Sequence, residues 1–437
     1  MTTSNTQTDL QSTGWRWAPW WVLAYVALLP APGVAEAVLT LGALFTIFRL
    51  SLVRFRGGSQ LLSAPAWALT TTLFFAYWTP QLIASVDASD HVHALKRTFA
   101  GLRYLPFLWL AAIAVADKRL RTTTFTGIGI LVIVWSVDAL IQALLGESPG
   151  YRALNALKVL IEHKPMCTDA EIAAADRIGG VLGPCNLKLG IVLASLSPFA
   201  LHLAHQRARV PGWFLTAALL GIAILLAGSR ASWITFGLVL LLSGWRILGW
   251  KGLTATFALG VLALFVLSQT VPQVAQRIER TRSAVTLSEE GVDHALAGRA
   301  RIWGAAECMI ESHPVNGVGP RDFRKAFPAC DPEPGVKPAW GQGPALHAHQ
   351  WVLEVLSETG VIGLLLWLSG IALAWRAWRF AQADAREHAR PAMWAVVVTF
   401  FPLNTHLAFY SAFWGGIALL LVALYAGSLL AKDELAE

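Results

Sequence analysis

The stretch that decides the fold class is WVLEVLSETGVIGLLLWLSGIALAW, residues 351–375. It exceeds the roughly 20 predominantly apolar residues that an α-helix needs to cross a bilayer. Similar stretches recur throughout the 437 residues, of which 55% are hydrophobic and only 14% are charged. Because a soluble domain carries roughly 25% charged residues, the composition predicts an integral membrane protein rather than a large soluble one.

The apolar stretches are continuous rather than alternating, which favours helices over barrel strands. Lipid offers the backbone no hydrogen-bond partners, so each stretch must satisfy its own backbone groups. We therefore expect an all-α polytopic membrane protein with about twelve transmembrane helices. No cleavable signal peptide is expected, because residues 1–14 lack a basic region followed by a small-residue cleavage site. The expected spans are residues 17–31, 33–52, 63–85, 101–116, 124–146, 187–204, 212–228, 231–245, 252–269, 351–375, 391–408 and 411–431.

Lysine and arginine in the short connections predict the orientation, because cytoplasmic loops are enriched in both. Every second connection is basic, whereas two of the alternate ones, 30–33 and 408–411, carry neither residue. The connection near 86–100, with Lys96 and Arg97, is an exception. We expect both termini in the cytoplasm. The basic residues on that side are Arg49, Arg54, Arg56, Lys118, Arg119, Arg121, Arg207, Arg209, Arg246, Lys251, Arg376, Arg379, Arg386 and Arg390.

Three regions follow from this topology. Residues 1–269 hold helices one to nine and a smaller outer segment, 147–186. Residues 270–350 form a large outer loop, and residues 351–437 hold the last three helices. The large loop carries nine basic and nine acidic residues. The net charge of +7 therefore reflects the topology, and we expect no nucleic-acid partner.

All four cysteines lie in or beside the two outer segments. An oxidising outer compartment allows disulfides, and Cys167–Cys185 and Cys308–Cys330 are the expected pairs. One sequence does not determine the connectivity, and four reduced thiols are the alternative. Spacings typical of zinc sites are absent from the sequence, so we expect no metal and no cofactor.

One histidine stands where the large loop enters a membrane helix. Residues 343–350, GPALHAHQ, lead directly into the span that starts at residue 351. His349 therefore lies at a membrane surface, where a lipid-borne substrate would arrive, and its imidazole can act as a general base near neutral pH. His347 could serve instead. A loop histidine that only forms a hydrogen bond at the helix start is the alternative.

Basic residues near the ends of other predicted elements indicate an anion site. The helical spacing of apolar residues in 302–310 predicts a helix whose first turn contains Arg299 and Arg301. Free N–H groups and guanidinium groups together bind phosphate well, although two solvated arginines are the alternative. Arg230 lies in a short outer connection, where an arginine costs free energy unless it is paired or reaches water. Arg301, Arg177 and Lys188 are secondary candidates.

Two further observations narrow the function. The stretch HPVNGVGP, 313–320, predicts a tight turn, because its glycines allow positive φ and its prolines restrict the ends. The phosphate-binding motif GxxxxGK[ST] is absent, which argues against ATP as the energy source. No DxD motif is present, which argues against a metal-bound nucleotide-sugar site.

Residues 225–370 resemble the O-antigen ligase and O-antigen polymerase superfamily of bacterial inner membranes. The spacing of His-Gln followed by Gly-x-x-Gly looks like the ligase signature. The many spans and the one large loop before a late helix agree with it. The residues that carry the resemblance are Ser229-Arg230-Ala231, Gly298-Arg299, Trp303, His313-Pro314, Gly317-Val318-Gly319, His349-Gln350, Gly360 and Gly363.

The resemblance implies a GT-C-like helical glycosyltransferase of the inner membrane with a periplasmic active site. It implies undecaprenyl-diphosphate O-antigen as the donor and lipid A–core as the acceptor, in lipopolysaccharide biosynthesis. By the same analogy His349 is the base, while Arg230 and Arg299 bind the diphosphate. Such residues fit the chemistry, since transfer needs a more nucleophilic hydroxyl and a stabilised leaving group.

Three alternative functions remain open. An O-antigen polymerase has the same type of site but uses a second lipid-linked glycan as its acceptor. A protein O-oligosaccharyltransferase of the same superfamily would usually carry a longer C-terminal region. A glycolipid transporter or flippase would need ionisable groups within several spans, and Asp138 is the clearest acidic residue of that kind.

Overall fold

The computed structural model describes residues 14–55, 62–173, 177–270, 298–338, 343–402 and 408–431, together with 175, 275, 340 and 404. Within these ranges the regular secondary structure is entirely helical, as predicted. The polar start used for the signal-peptide prediction and most of residues 271–297, the first part of the large loop, lie outside the described residues.

In chain order the helices are α1 (Ala18–Ala27), α2 (Pro32–Phe55), α3 (Ala64–Ala84), α4 (His91–Ala100), α5 (Tyr104–Ile113), α6 (Lys118–Leu145), α7 (Pro149–Glu162), α8 (Asp169–Ala173), α9 (Leu189–Leu226), α10 (Arg230–Thr270), α11 (Arg299–Ser312), α12 (Phe323–Cys330), α13 (Trp351–Phe380), α14 (Ala383–Thr399) and α15 (Ala412–Leu429). Short 3₁₀ turns cover Gly14–Trp17, Gly101–Arg103 and Gly180–Leu182. Side-chain caps determine where several of the helices begin. Asp117 and Ser411, for example, accept hydrogen bonds from the N–H groups of Leu120 and Trp414.

Among the described residues, six helices are long and apolar enough to cross a membrane: α2, α6, α9, α10, α13 and α15. The length and composition of these helices indicate an integral membrane protein. Two of the six, α9 and α10, are longer than one crossing needs, with 38 and 41 residues. The predicted number of about twelve spans stays a prediction.

Each of these two long helices consists of two segments that fold back on one another. In α10 the break is at Gly249, whose φ is 63°. A Cβ on Gly244 would lie 3.0 Å from a methyl group of Leu253, although a straight helix would separate these residues by about 14 Å. In α9 the break is at Ala208 and Arg209. The segments correspond to the predicted pairs 187–204 with 212–228 and 231–245 with 252–269.

The helices in three of the predicted spans have other bounds than expected. Within 17–31 the α-helix covers Ala18–Ala27, and within 101–116 it covers Tyr104–Ile113, which follows α4 directly through the 3₁₀ turn Gly101–Arg103. The span predicted at 391–408 runs instead from Ala383 to Thr399. It ends there because Pro402 follows closely, and proline disfavours a helical conformation at the residue before it.

Helix α15 lies at the centre of the protein, because 83% of its 18-residue apolar stretch is buried. In the corresponding stretch of α10 only 6% is buried. Hydrogen bonds attach α15 to its neighbours. Tyr425 donates to the carbonyl of Ala374 at 2.7 Å, and Ser63, the cap of α3, donates to the carbonyl of Leu430 at 2.6 Å. The many exposed apolar side chains along α10 are therefore suited to contact with lipid.

Both expected disulfides are present, Cys167–Cys185 and Cys308–Cys330. The first closes the smaller outer segment after α7. The second joins α11 to α12 within the large loop, which also has an apolar core of its own that includes Ile302, Met309 and Phe323. The described part of the large loop, from residue 298 onward, is therefore a folded unit that can hold side chains in position.

Candidate active site

Helix α11 begins immediately after Gly298, whose φ of 73° places it in the left-handed region. Arg299 is therefore the first helical residue. Burial lowers the pKa of the Arg299 guanidinium to about 10, and the charges of Arg230 and Arg177 contribute. The three guanidinium groups therefore lie close enough for their charges to interact. We call Arg177, Arg230 and Arg299 the arginine cluster.

The cluster draws on three separate elements. Arg230 opens α10 two residues after Gly228, whose φ is 69°. Arg177 lies in the outer segment before the 3₁₀ turn Gly180–Leu182, and Arg299 comes from the large loop. No described carboxylate forms an ion pair with Arg299. Bringing like charges together costs free energy, which the binding of an anion would recover.

The loop that carries His349 is attached to the same helix as Arg299. Trp303 lies one turn after Arg299, on the same face of α11. Its indole Nε1 donates to the carbonyl of Ala348 at 3.1 Å. On either side of Ala348, the rings of His347 and His349 approach to 4.0 Å between centroids. The two histidines are thereby held near the arginine end of α11.

His349 itself adopts the left-handed region, with a φ of 55°. A residue other than glycine costs free energy there, and the surrounding structure must maintain it. The next residue provides part of that support, because the Gln350 side chain caps α13 and accepts from the N–H of Leu353 at 2.7 Å. The His-Gln pair thus ends the loop and starts the membrane helix.

The glycine motifs lock the large loop to α13. That helix breaks at Gly360, with a φ of 63°, and the break releases backbone groups on both sides. The N–H groups of Val361 and Ile362 donate to the carbonyls of Pro314 and Val315 at 2.9 and 3.2 Å. In the other direction, Val318 and Gly319 donate to the carbonyls of Ser357 and Glu358 at 2.8 and 3.1 Å.

Side chains have no room at this junction. A Cβ on Gly317 would lie 2.3 Å from the backbone of Glu358, and one on Gly360 would lie 2.2 Å from the carbonyl oxygen of Val315. The stretch 313–320 is the predicted turn, closed by a bond from the N–H of Gly317 to the carbonyl of His313 at 3.0 Å. Its role is to hold the loop on the break in the membrane helix.

Arg301, predicted as a secondary candidate, has other partners. Its Nε and Nη2 donate to the two oxygens of Asp331 at 2.7 and 2.6 Å. Further donor groups reach the carbonyls of Val336 and Glu333, and the guanidinium lies 5.6 Å from the Trp340 ring centroid. The guanidinium group of Arg301 is thus hydrogen-bonded to groups within the large loop, and these contacts support a structural role.

Lys188, another secondary candidate, lies near Arg321, a residue that the sequence analysis missed. Its Nζ is 4.4 Å from the centroid of the Phe413 ring. Burial lowers the pKa of Lys188, and the charge of Arg321 lowers it further. Arg321 itself has a φ of 64°. Its position directly after Gly319-Pro320, in a turn that requires unusual backbone angles, was the available signal.

Two buried carboxylates lie on the first turns of α13. Glu354 accepts from the N–H of Tyr410 at 3.2 Å, and Glu358 accepts from the N–H of Arg321 at 2.6 Å. Both thus join the start of the membrane helix to other segments. Among the described residues, no group of three or more histidine, cysteine or acidic side chains could hold a metal ion.

Residues 215–368 match the model of the Wzy_C family, described as O-antigen ligase. This part of the chain is similar to the O-antigen ligase domain family. It begins in the second segment of α9 and ends within α13, so it contains Arg230, Arg299 and His349, whereas Arg177 and Lys188 precede it. No curated protein matches the chain. The enzymes of the O-antigen ligase family transfer lipid-linked glycans.

Proposed function

We propose that the protein transfers O-antigen polysaccharide from undecaprenyl diphosphate to a sugar hydroxyl of lipid A–core oligosaccharide. The observation that carries the proposal is the arginine cluster at the start of α11, one turn from the tryptophan that holds the histidine loop. A diphosphate leaving group requires concentrated positive charge, and an acceptor hydroxyl requires a base. The arginine cluster, drawn from three elements, supplies the charge, and the histidine loop supplies the base.

In the proposed reaction His349 accepts the proton of the acceptor hydroxyl. The oxygen attacks the anomeric carbon of the donor sugar and forms the new glycosidic bond, while the bond from that carbon to the diphosphate breaks. Undecaprenyl diphosphate leaves with the electron pair. Arg230 and Arg299 bind its oxygens in the fork geometry that suits phosphate. In-line displacement inverts the anomeric configuration, and the activated donor supplies the energy.

The membrane orientation is part of the same proposal. Both termini lie in the cytoplasm of a bacterial cell, the protein spans the inner membrane, and the site faces the periplasm. Two contacts support a shared side for the connection 86–100 and the large loop. Ser89 donates to Asp322 at 2.7 Å, and Asn316 donates to Asp87. At the basic connections, Arg246 pairs with Glu387 at 3.6 Å.

A transport function has less support. Asp138, the acidic residue that such a function would use, accepts from Ser148 Oγ at 2.6 Å and from the N–H of Gly150 at 2.8 Å. These contacts hold the start of α7 against α6 and occupy both carboxylate oxygens. An O-antigen polymerase would use the same arginines and histidine, so the choice of acceptor separates it from a ligase.

The test is transfer by purified protein in liposomes, with lipid-linked glycan as donor and either lipid A–core or a second lipid-linked glycan as acceptor. We expect transfer to lipid A–core, and His349→Ala to lower the rate roughly 10²- to 10⁴-fold, as the loss of a general base does. His347→Ala is the matched control and should retain most activity. Wild-type rates in His349→Ala would exclude this residue as the base. Transfer to the lipid-linked glycan alone would identify a polymerase.

A further inference from the structure

Apart from the arginine cluster, the structure has a cationic cavity of about 310 Å³. It is bounded by α3, α4, α5 and the turn that contains Arg321. None of the residues of the proposed transfer site lines it. Aromatic and arginine side chains dominate its wall, a combination that suits a sugar bearing an anionic group. The most prominent are Arg97, Arg103, Arg321, Tyr77, Trp78 and Tyr104.

Two of these arginine charges are available to a ligand. Arg103 forms an ion pair with Glu36, which also accepts from the Tyr104 hydroxyl at 2.7 Å. No described carboxylate forms an ion pair with Arg97 or Arg321. The buried Glu358 accepts only the backbone N–H of Arg321 among the hydrogen bonds of the described residues. Arg97 and Arg321 therefore both line the cavity and form no ion pair with a described carboxylate, and the charge of Arg321 also acts on the buried Glu354 and Glu358.

The pKa of the neighbouring Arg324 also reflects the positive charges of Arg97 and Arg321. Its pKa is lowered first by burial and then by the charges of Arg321 and Arg97, and Glu358 and Asp322 offset part of this effect. Asp322 is occupied by bonds from Ser89 at 2.7 Å and Lys325 at 2.9 Å. The cavity is thus a positive region built from two segments that are far apart in the chain.

Arg97, together with Lys96, also departs from the charge pattern of the short connections. Its segment, 86–100, is attached to the large loop through Ser89 and Asp322. The basic residues of α4 therefore lie on the side of the transfer site, where positive charge is disfavoured by the insertion rule. A ligand-binding role accounts for Arg97 on this side.

An apolar cavity of about 360 Å³ adjoins the cationic one. Tyr77 and Leu419 line both, so the two cavities meet at these side chains. The apolar cavity lies among α3, α13, α14 and α15, and its wall includes Trp367, Trp378 and Val422. A polar cavity with two arginines above an apolar one among membrane helices matches a lipid with an anionic head group.

We propose that these adjoining cavities bind the acceptor, a glycolipid whose saccharide carries a phosphate group. The phosphate lies between Arg97 and Arg321, the sugar contacts the aromatic wall, and an acyl chain enters the apolar cavity. The inference rests on the proposed function, because it assigns the acceptor to a site apart from the arginine cluster that binds the donor. The donor and acceptor then approach the transfer site from different sides of the large loop.

The test compares binding of lipid A–core, before and after removal of its phosphates with hydrofluoric acid, to protein in phosphatidylcholine nanodiscs. We expect Arg97→Gln and Arg321→Asn to weaken binding of the phosphorylated form roughly tenfold each, as the loss of a charge-assisted hydrogen bond does. Asparagine tolerates the positive φ at position 321. Neither variant should change binding of the dephosphorylated form. Lys96→Gln, an exposed neighbour that does not line the cavity, is the matched control.

Three results would overturn the inference: unchanged binding in both variants, equal weakening for both forms of the glycolipid, or equally tight binding of phosphatidylglycerol. Loss of binding in Arg299→Gln with normal binding in Arg97→Gln would also overturn it and would assign the phosphate to the arginine cluster. Transfer assays separate this inference from the proposed function. Wild-type protein that binds the phosphorylated glycolipid but transfers nothing to it would contradict the function alone.

Discussion

Two arginines at the start of one helix have opposite surroundings. Arg299 is partly buried beside Arg230 and Arg177, and its pKa falls to about 10. Arg301, two residues later and so on the other side of α11, is held by Asp331, and the hydrogen bond to that carboxylate raises its pKa. The difference teaches that surroundings, rather than position in the sequence, separate an arginine suited to ligand binding from a structural one.

The comparison extends to the cationic cavity. Arg97 and Arg321 resemble Arg299, because no described carboxylate forms an ion pair with them and their charges act on a neighbouring arginine. Arg103, which pairs with Glu36, resembles Arg301. In both places an arginine that is held by a carboxylate stands beside arginines with charge available to an anion.

The largest expected effect is on catalysis. Arg299→Gln should lower transfer roughly 10²- to 10³-fold, the cost of removing one donor that stabilises developing charge. Because Arg299 has no carboxylate partner among the described residues, the midpoint of thermal unfolding should change little. The measurement is initial rate against donor concentration, with unfolding followed in the same detergent. An unchanged rate would remove Arg299 from the donor site.

A smaller effect, on stability alone, is expected at Arg301. Arg301→Ala leaves the nearly buried Asp331 without its partner and should destabilise the large loop by about 3 kcal/mol. Hydrogen exchange of α11 and α12 measures this. The control is Arg301→Met combined with Asp331→Leu, which should restore most of the protection. If Arg301→Ala instead lowered the rate of transfer with the loop fully protected, Arg301 would belong with Arg299.

The smallest effect is on pH dependence. Arg301 holds the pKa of Asp331 below its ordinary value, so the folded pKa lies below the unfolded one, which is about 3.9. The stabilisation is present above the unfolded pKa and is lost as the pH falls through the folded pKa. Protection of the loop should therefore be constant at neutral pH and decline below about pH 4. In Asp331→Asn this decline should be absent, and its persistence would assign it to other carboxylates.

The fold was predictable where the determining interactions are local. Membrane helices follow from apolar length. The two disulfides are the expected pairs, but the sequence alone left their connectivity open. Helix ends were less predictable. The ten-residue helices α1 and α5 lie in stretches as apolar as a full span, so composition alone overestimates their length.

The candidate site was predictable residue by residue but not as a grouping. His349, Arg230 and Arg299 were identified from motifs, and Arg177 from its place before a span. The partners of Arg301 lie 30 to 35 positions away, and no pattern in the sequence indicates them. Lys188 was a secondary candidate for the anion site, whereas the described contacts place it beside Phe413 and Arg321.

The sequence by itself determined that this is a helical membrane protein with an O-antigen ligase motif, because each helix satisfies its backbone hydrogen bonds within its own segment. Only the tertiary structure decided which charges meet. Arg177, Arg230 and Arg299 come from three elements, and Arg97 and Arg321 come from two others. Coulomb energy depends on distance in space, and those distances depend on how the helices pack and on how the large loop is held at the break in α13.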